Sequence, residues 1–244
     1  MYLIVGGDSL IGSALSAYWV RKGILHEWST RNTDKVTEAR PYLDLSSKTW
    51  QSLEEKCYSA IVLCAAITKL SDCEKNPVMA RNINVLATTE LAKLMSSRGS
   101  HILLLSTSQV FDGNSLKHRF EYERVCPVTE YGRQKAEAES CILELPQSAV
   151  LRLSKVTHPG LALLAKWQSS LEAGRPIEAF ADLKLAPILL GNVVARIDEL
   201  IGKCETGVFH LFDECEISYY EFARDYFKYI PNSEFLIKKS YLHT

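Results

Sequence analysis

Tyr131 and Lys135 stand four residues apart in the stretch TEYGRQK, so on a helix both side chains leave from one face. A phenol passes its proton to a developing alkoxide when a neighbouring ammonium lowers its pKa, and the same ammonium can bind a ribose hydroxyl. A second pair of this spacing, Tyr18 and Lys22, shows how weak the spacing is alone. It falls at the far end of the first helix, away from strand termini, and reads as surface and packing. What sets Tyr131 apart is the preceding LLLSTSQVFDG. It puts Ser106, Thr107 and Ser108 at the carboxyl end of an apolar strand, where a hydroxyl reaches a substrate carbonyl oxygen.

Near the start, GGDSLIG has the place and nearly the spacing of a pyrophosphate loop, with Gly6, Gly7 and Gly12 and with Ser9 where a middle glycine is usual. Glycine at the first position permits the tight turn, and glycine at the last lets the helix pack close to the strand. The helix N-terminus then offers free N–H groups to a phosphate. Ser9 can donate from its hydroxyl to that phosphate; alternatively, Asp8 or Ser9 caps the helix of an ordinary turn. The second strand ends in Ser29, Thr30 and Arg31, where such a fold meets the adenosine ribose. Hydroxyls and a guanidinium suit a 2′-phosphate better than a free 2′-hydroxyl, which favours NADP(H) over NAD(H).

These residues need strand ends and helix starts to hold them, and the chain alternates accordingly. YLIV leads into the helix LIGSALSAYWVRK, closed by Gly23, and then the strand ILHEWST. A helix in SKTWQSLEEKC, a strand AIVLCAAI (60–67), a long helix PVMARNINVLATTELAKLMSS and a strand HILLLSTS (101–108) follow. After a loop from Gln109 to about Thr129 come the helix EYGRQKAEAESCILEL and the strand AVLRLS (149–154). The near-continuous apolar strands predict a sheet covered on both faces, so the expected fold class is α/β, a doubly wound parallel (Rossmann) sheet. Residues 1–155 make that domain. Residues 156–244 make a smaller C-terminal lobe, partly interleaved with it. The lobe holds the helix GLALLAKWQSSLEAG, a short PIEAF, the helix LLGNVVARIDELIG after Pro187, the strand GVFHLF and the helix SYYEFARDYFKYI capped by Ser218.

The 244 residues carry 28 Lys and Arg against 29 Asp and Glu, a net charge of −1 that gives no general pull towards nucleic acid or anionic lipid. Seven cysteines, odd in number and never spaced CxxC, read as reduced packing residues, and the scattered histidines (His26, His101, His118, His158, His210, His243) form no metal-ligand pattern. No signal-like segment opens the chain and no apolar run approaches the roughly 20 residues of a membrane span, so a cytoplasmic protein is expected.

In these residues, from Tyr2 to about Phe227, the chain resembles the extended short-chain dehydrogenase/reductase family, and most closely its dTDP-4-dehydrorhamnose reductase branch. STSQVFDG is similar to the branch's STDYVFDG, PVTEYGRQKAEAE to its P-x-x-x-Y-G-x-x-K-x-x-x-E segment, and AVLRLSKV to its ILRTSWV strand. The resemblance implies that Thr107 polarises a keto oxygen, Tyr131 is the general acid, and Lys135 tunes Tyr131 and holds the nicotinamide ribose. It implies pyrophosphate contacts from Gly6, Gly7, Ser9, Leu10, Ile11 and Gly12, and adenosine contacts from Ser29, Thr30 and Arg31. Asp44 and Leu45 resemble the acidic dipeptide beside adenine, while Cys64, Ala65 and Ala66 match the strand end that lines the cofactor and Asn84 the helix asparagine that supports it. Thr107, Ser108, Gln109 and Arg152 would face the substrate.

The implied activity is an NADP(H)-dependent reductase of a keto group on a nucleotide-linked deoxysugar, with a homodimer left open. Three departures set this chain apart: Ser108-Gln109 replaces Asp-Tyr, Ser9 replaces glycine, and the C-terminus ends short of the family's usual tail. They keep a second reading in view, a cofactor-binding regulatory or scaffolding subunit without turnover, as in the regulatory subunit of methionine adenosyltransferase, which resembles the same branch.

Overall fold

The computed structural model describes residues 1–48, 50–53, 56–113, 119–212 and 216–242; His118, His243 and Cys215 lie outside these. The chain divides into two compact units, residues 1–153 with 191–211, and residues 154–190 with 212–244.

The first unit opens with β1 (Tyr2–Val5), α1 (Leu10–Arg21) and β2 (His26–Trp28), and continues through β3 (Ala60–Leu63), α2 (Leu70–Lys75) and α3 (Pro77–Arg81). A π-helical stretch, Asn82–Ala87, joins α3 to α4 (Thr88–Ser96), after which come β4 (His101–Thr107), α5 (Glu130–Leu143) and β5 (Ser148–Leu153). In the second unit the chain forms β6 (Lys155–Thr157), α6 (Ala162–Glu172), β7 (Ile177–Phe180), β8 (Lys184–Leu185) and β9 (Pro187–Leu189). It then returns to the first unit as α7 (Leu190–Gly202) and β10 (Gly207–Leu211), and ends in the second with β11 (Ile217–Ser218), α8 (Tyr219–Tyr226), α9 (Ser233–Leu236) and β12 (Ile237–Ser240).

Six strands form one sheet in the order β10-β5-β4-β3-β1-β2, every neighbouring pair parallel. All residues of β3, β4 and β5 are buried, which explains their unbroken apolar runs. The chain leaves β1 to β2 on one side and reaches β3 on the other, so the strand order reverses at β1. Beyond the carboxyl ends of β1 and β3, at Gly6 and Cys64, lies the crevice where such sheets bind ligands. Residues 191–211 belong to this unit because β10 pairs with β5 along Gly207–Leu211, although the sequence reading put that helix and strand in the second lobe.

Three other readings differ from the structure. The expected helix at 47–57 shows, among its described residues, only a 3₁₀ turn, Gln51–Leu53; Leu53 is buried in the core and Lys56 reaches Glu27 on β2, so tertiary anchoring overrides helix propensity. The strand expected over 60–67 stops at Leu63. The six-residue α2 was not foreseen at all.

The second unit packs Trp167, Leu171, Ile177, Phe222, Phe227 and Ile237 into its own core, with β7 and β12 parallel beneath α8. Ser218 caps α8 through a reciprocal capping box with Glu221.

Candidate active site

The turn from β1 into α1 is built around three glycines that cannot be replaced without movement. Gly6 has φ +89°, and a Cβ there would lie 2.7 Å from the Ala65 nitrogen; a Cβ on Gly12 would lie 2.3 Å from the Gly6 oxygen. At Gly7 a Cβ would meet Trp28 of β2 at 2.7 Å. Ser9 is the N-cap of α1, its Oγ accepting from the Gly12 amide at 3.1 Å. The amides of Leu10 and Ile11, the first two of the helix, have no carbonyl of a preceding turn to bond, and with the bare glycine backbone they form a cradle that fits a pyrophosphate.

Ser29 and Thr30 are buried at 1% exposure, and their hydroxyls serve the loop rather than lying open. Ser29 Oγ accepts from the Gly6 amide at 2.9 Å, and Thr30 Oγ1 donates to Asp8 at 2.5 Å while accepting from the Asn32 amide. Asp8 also pairs with Arg40 and lies 3.7 Å from Lys35. The Thr30 hydrogen bond, aided by those two cations, holds its carboxyl below the usual range. Lys35 and Arg40 escaped the sequence reading because they lie on the segment that runs back beside β2, bridged by Thr30 and Tyr42. Arg31, beside them in sequence, is exposed. Asp44 accepts from the Ser46 amide and hydroxyl in a local turn, and Leu45 packs into the core.

Beyond β3, Cys64 to Ala66 run beside the glycine turn, the Cys64 amide bonding Val5 O. Asn84, 1% exposed in the π-helical stretch, accepts from the Ile67 amide at 2.7 Å and donates to Ile67 O and to Gln134 of α5, both at 2.9 Å. It ties the post-β3 segment to the helix that carries Tyr131.

That helix starts at its N-cap Thr129, whose Oγ1 accepts from the Gly132 amide and also meets Gln109 Oε1 at 3.2 Å. A Cβ on Gly132 would lie 2.2 Å from the Gln109 oxygen, so α5 begins in direct backbone contact with the turn that follows Thr107. Thr107 Oγ1 accepts from the Gln109 amide and keeps its own proton to donate. Tyr131 and Lys135 are both buried. Burial, with Cys73 adding to it, pushes the Tyr131 phenol up to about 12, and burial drives Lys135 down to about 8. The expected lowering of Tyr131 by Lys135 does not occur: burial and Cys73 set the direction at the phenol, with no contribution from Lys135. The phenol is protonated at neutral pH but a weaker acid than a free tyrosine, and Lys135, one helical turn on, is still largely charged there. No hydrogen bond or ion pair holds Lys135 Nζ among the described residues.

Two side chains expected at the substrate turn elsewhere. Gln109 presents its carboxamide to Thr129, and Arg152, 4% exposed, lies inside the unit with its guanidinium on Glu139 at 2.8 to 3.1 Å. Glu139 also accepts from Ser106 Oγ. Arg152 further contacts His210 Nε2 at 3.2 Å and covers the Phe111 ring. A buried guanidinium needs a carboxylate, which is why Arg152 is drawn inwards. Ser108 is half-buried at the head of its 3₁₀ turn. Lys22 donates to Asp198 of α7 and lies over the Tyr18 ring, a packing role for that second Tyr–Lys pair. Among the described residues no three His, Cys, Asp or Glu side chains converge as a metal site, and no helix is long and apolar enough to cross a membrane.

A parallel sheet reversing order at a glycine turn, with a buried Tyr–Lys pair beside a hydroxyl at a strand end, defines a Rossmann-type protein of the extended short-chain dehydrogenase/reductase kind. Within that class the chain belongs to the family described as RmlD substrate binding domain, which matches residues 1–239. It is similar to a probable low-salt glycan biosynthesis reductase, Agl14, of Haloferax volcanii, 28% identical over 241 residues that cover 96% of this chain and 76% of the relative. It is also similar to the dTDP-4-dehydrorhamnose reductase of Sinorhizobium fredii, 26% identical over 78% of this chain and 68% of that one. The crystal structure of dTDP-4-dehydrorhamnose reductase from Bacillus anthracis in complex with NADP shares the fold, with a TM-score of 0.85 and 21% identity over 99% of this chain and 84% of the other.

Proposed function

We propose that the protein is an NADP(H)-dependent reductase of a keto group on a nucleotide-linked deoxysugar. The observation that carries this reading is the buried Tyr131–Lys135 pair, a protonated phenol one helical turn from an ammonium that makes no hydrogen bond or ion pair among the described residues, on the helix that packs against β4, the strand ending in Thr107. The cofactor, when bound, supplies the hydride. Thr107 donates a hydrogen bond to the keto oxygen, Tyr131 delivers the proton to it, and Lys135 holds the nicotinamide ribose and stabilises the phenolate left behind. Gly6, Gly7, Ser9, Leu10, Ile11 and Gly12 cradle the pyrophosphate; Cys64, Ala65 and Ala66 line the cofactor, supported by Asn84. Exposed Arg31 supplies the positive charge for a 2′-phosphate, since Lys35 and Arg40 are drawn to Asp8, and Ser29 and Thr30 support that end from below.

Asp44 faces the adenine, Ser108 belongs to the substrate-facing surface, and the second unit is the substrate-binding lobe. The relatives named above are called reductases over most of this chain's length, which favours turnover over a scaffold, and a biosynthetic role of that kind suits the cytoplasm. A panel of dTDP- and UDP-linked 4-keto-6-deoxy sugars, scored for NADPH oxidation at 340 nm, is expected to yield at least one substrate. NADPH binding with no turnover on any of them, together with co-purification of an unrelated partner, would support the scaffold instead.

A further inference from the structure

Glu139 is 2% exposed and sits at i+4 from Lys135, on the same helical face. Its carboxylate is held from the sheet side, by the hydroxyl of Ser106 on β4 and by three contacts from Arg152 on β5. This anchoring is unusual for an acidic residue of an amphipathic helix, which normally faces water. We propose that Glu139 is a positioning residue for the proposed reductase chemistry: locked by Ser106 and Arg152, its buried carboxylate keeps Lys135 charged beside Tyr131.

The inference rests on the assignment of Lys135 above, but its physical basis is separate. Among the described residues, no other carboxylate acts on Lys135 from the elements packed on α5. From the segment after β3 comes the Cys64 thiol, which burial keeps uncharged by pushing it up to about 12. From α2, Cys73 lies against Tyr131, and Glu74 caps the Glu130 amide. On the outer side Arg81 pairs with Glu137, and Glu130 holds Gln134 and Arg133; from α4, Glu90 pairs with Lys48. Burial alone drives Lys135 towards its neutral form, and Glu139 is the principal group opposing that drift. Arg152 shares the same carboxylate, so it sets how much of Glu139's charge Lys135 feels.

The test is a titration of the cofactor-free protein, labelled with ¹³Cε-lysine and read by NMR, with the Lys135 signal assigned from Lys135→Arg. Glu139→Gln is expected to move the Lys135 midpoint down by about one pH unit, the lower end for an opposite charge nearby. Glu139→Asp should recover most of that shift. Arg152→Met should move the midpoint up, since the carboxylate is then no longer shared. Glu139→Gln leaves a guanidinium buried without its partner, so the double variant Glu139→Gln/Arg152→Met, which removes both charges, guards against misfolding and should also titrate low. A Lys135 midpoint unchanged in whichever of these folds, as checked by circular dichroism, overturns the proposal, because a merely structural Glu139 lowers the melting temperature without moving that midpoint. The titration needs no substrate. Failure of the wild type to reduce any sugar would contradict the functional reading and leave this result standing.

Discussion

At the level of single residues, Ser9 shows how a side chain can depart from a motif and keep its physics. The loop needs glycine where a Cβ would strike backbone, at Gly6 and Gly12, and there the chain has it. At Ser9 the backbone is extended, at φ −73° and ψ 162°, so a side chain is tolerated, and its oxygen takes over the Gly12 amide. Of the sequence alternatives for Ser9 the structure shows the cap, which uses the oxygen as acceptor; donation of its hydroxyl proton to a phosphate belongs to the proposed cofactor site. Ser9→Gly should bind NADPH about as well as the wild type and lose only a few tenths of a kcal/mol of stability. Ser9→Leu loses the cap, about 1 kcal/mol, and places bulk over the cradle. Fluorescence titration should show its NADPH affinity falling at least tenfold, and normal binding would mean that the cofactor lies elsewhere. Gly6, Gly12, Tyr131 and Lys135 were legible because backbone sterics and helical spacing are local properties. The ion pairs of Arg40 with Asp8 and of Glu139 with Arg152 were not, since the tertiary fold alone brings those partners together.

At the level of elements, the site is assembled by three junctions: β1 into α1, the segment after β3 against the π-helical stretch, and the turn after β4 against α5. The strands were readable from their apolar runs. The junctions were not, because they depend on side chains that satisfy backbone groups at a distance, as Asn84 does for Ile67. The π-helical stretch has the same origin: inserting an extra residue per turn there accompanies the inward placement of Asn84, and no periodicity announces it. The β4–α5 junction leaves no room at Gly132, 2.2 Å from the Gln109 oxygen for any added Cβ. Gly132→Ala should therefore destabilise the protein by about 1–3 kcal/mol, the range for overpacking, measured by urea unfolding. It should also lower kcat through displacement of Tyr131. Unchanged stability and rate would show that the junction is more yielding than its contacts imply.

Across the whole molecule, one parallel sheet fixes the positions of residues that are far apart in sequence. Gly6 and Cys64 follow neighbouring strands, Thr107 ends the next, and α5 packs on β4 and β5 with Tyr131 and Lys135 on it. The fold class followed from alternating strands and helices, whereas the return of residues 191–211 to the first unit did not, because an edge strand's partner is a long-range choice. The second unit has a separate core. The central claim, that Tyr131 donates the proton during hydride transfer, is tested most directly by Tyr131→Phe. With a substrate found in the nucleotide-sugar panel, this variant should lose at least about 10³-fold in NADPH-dependent turnover, within the range for general acid catalysis, while binding NADPH within about threefold of wild type, a difference under 1 kcal/mol. Turnover close to that of the wild type would contradict the account.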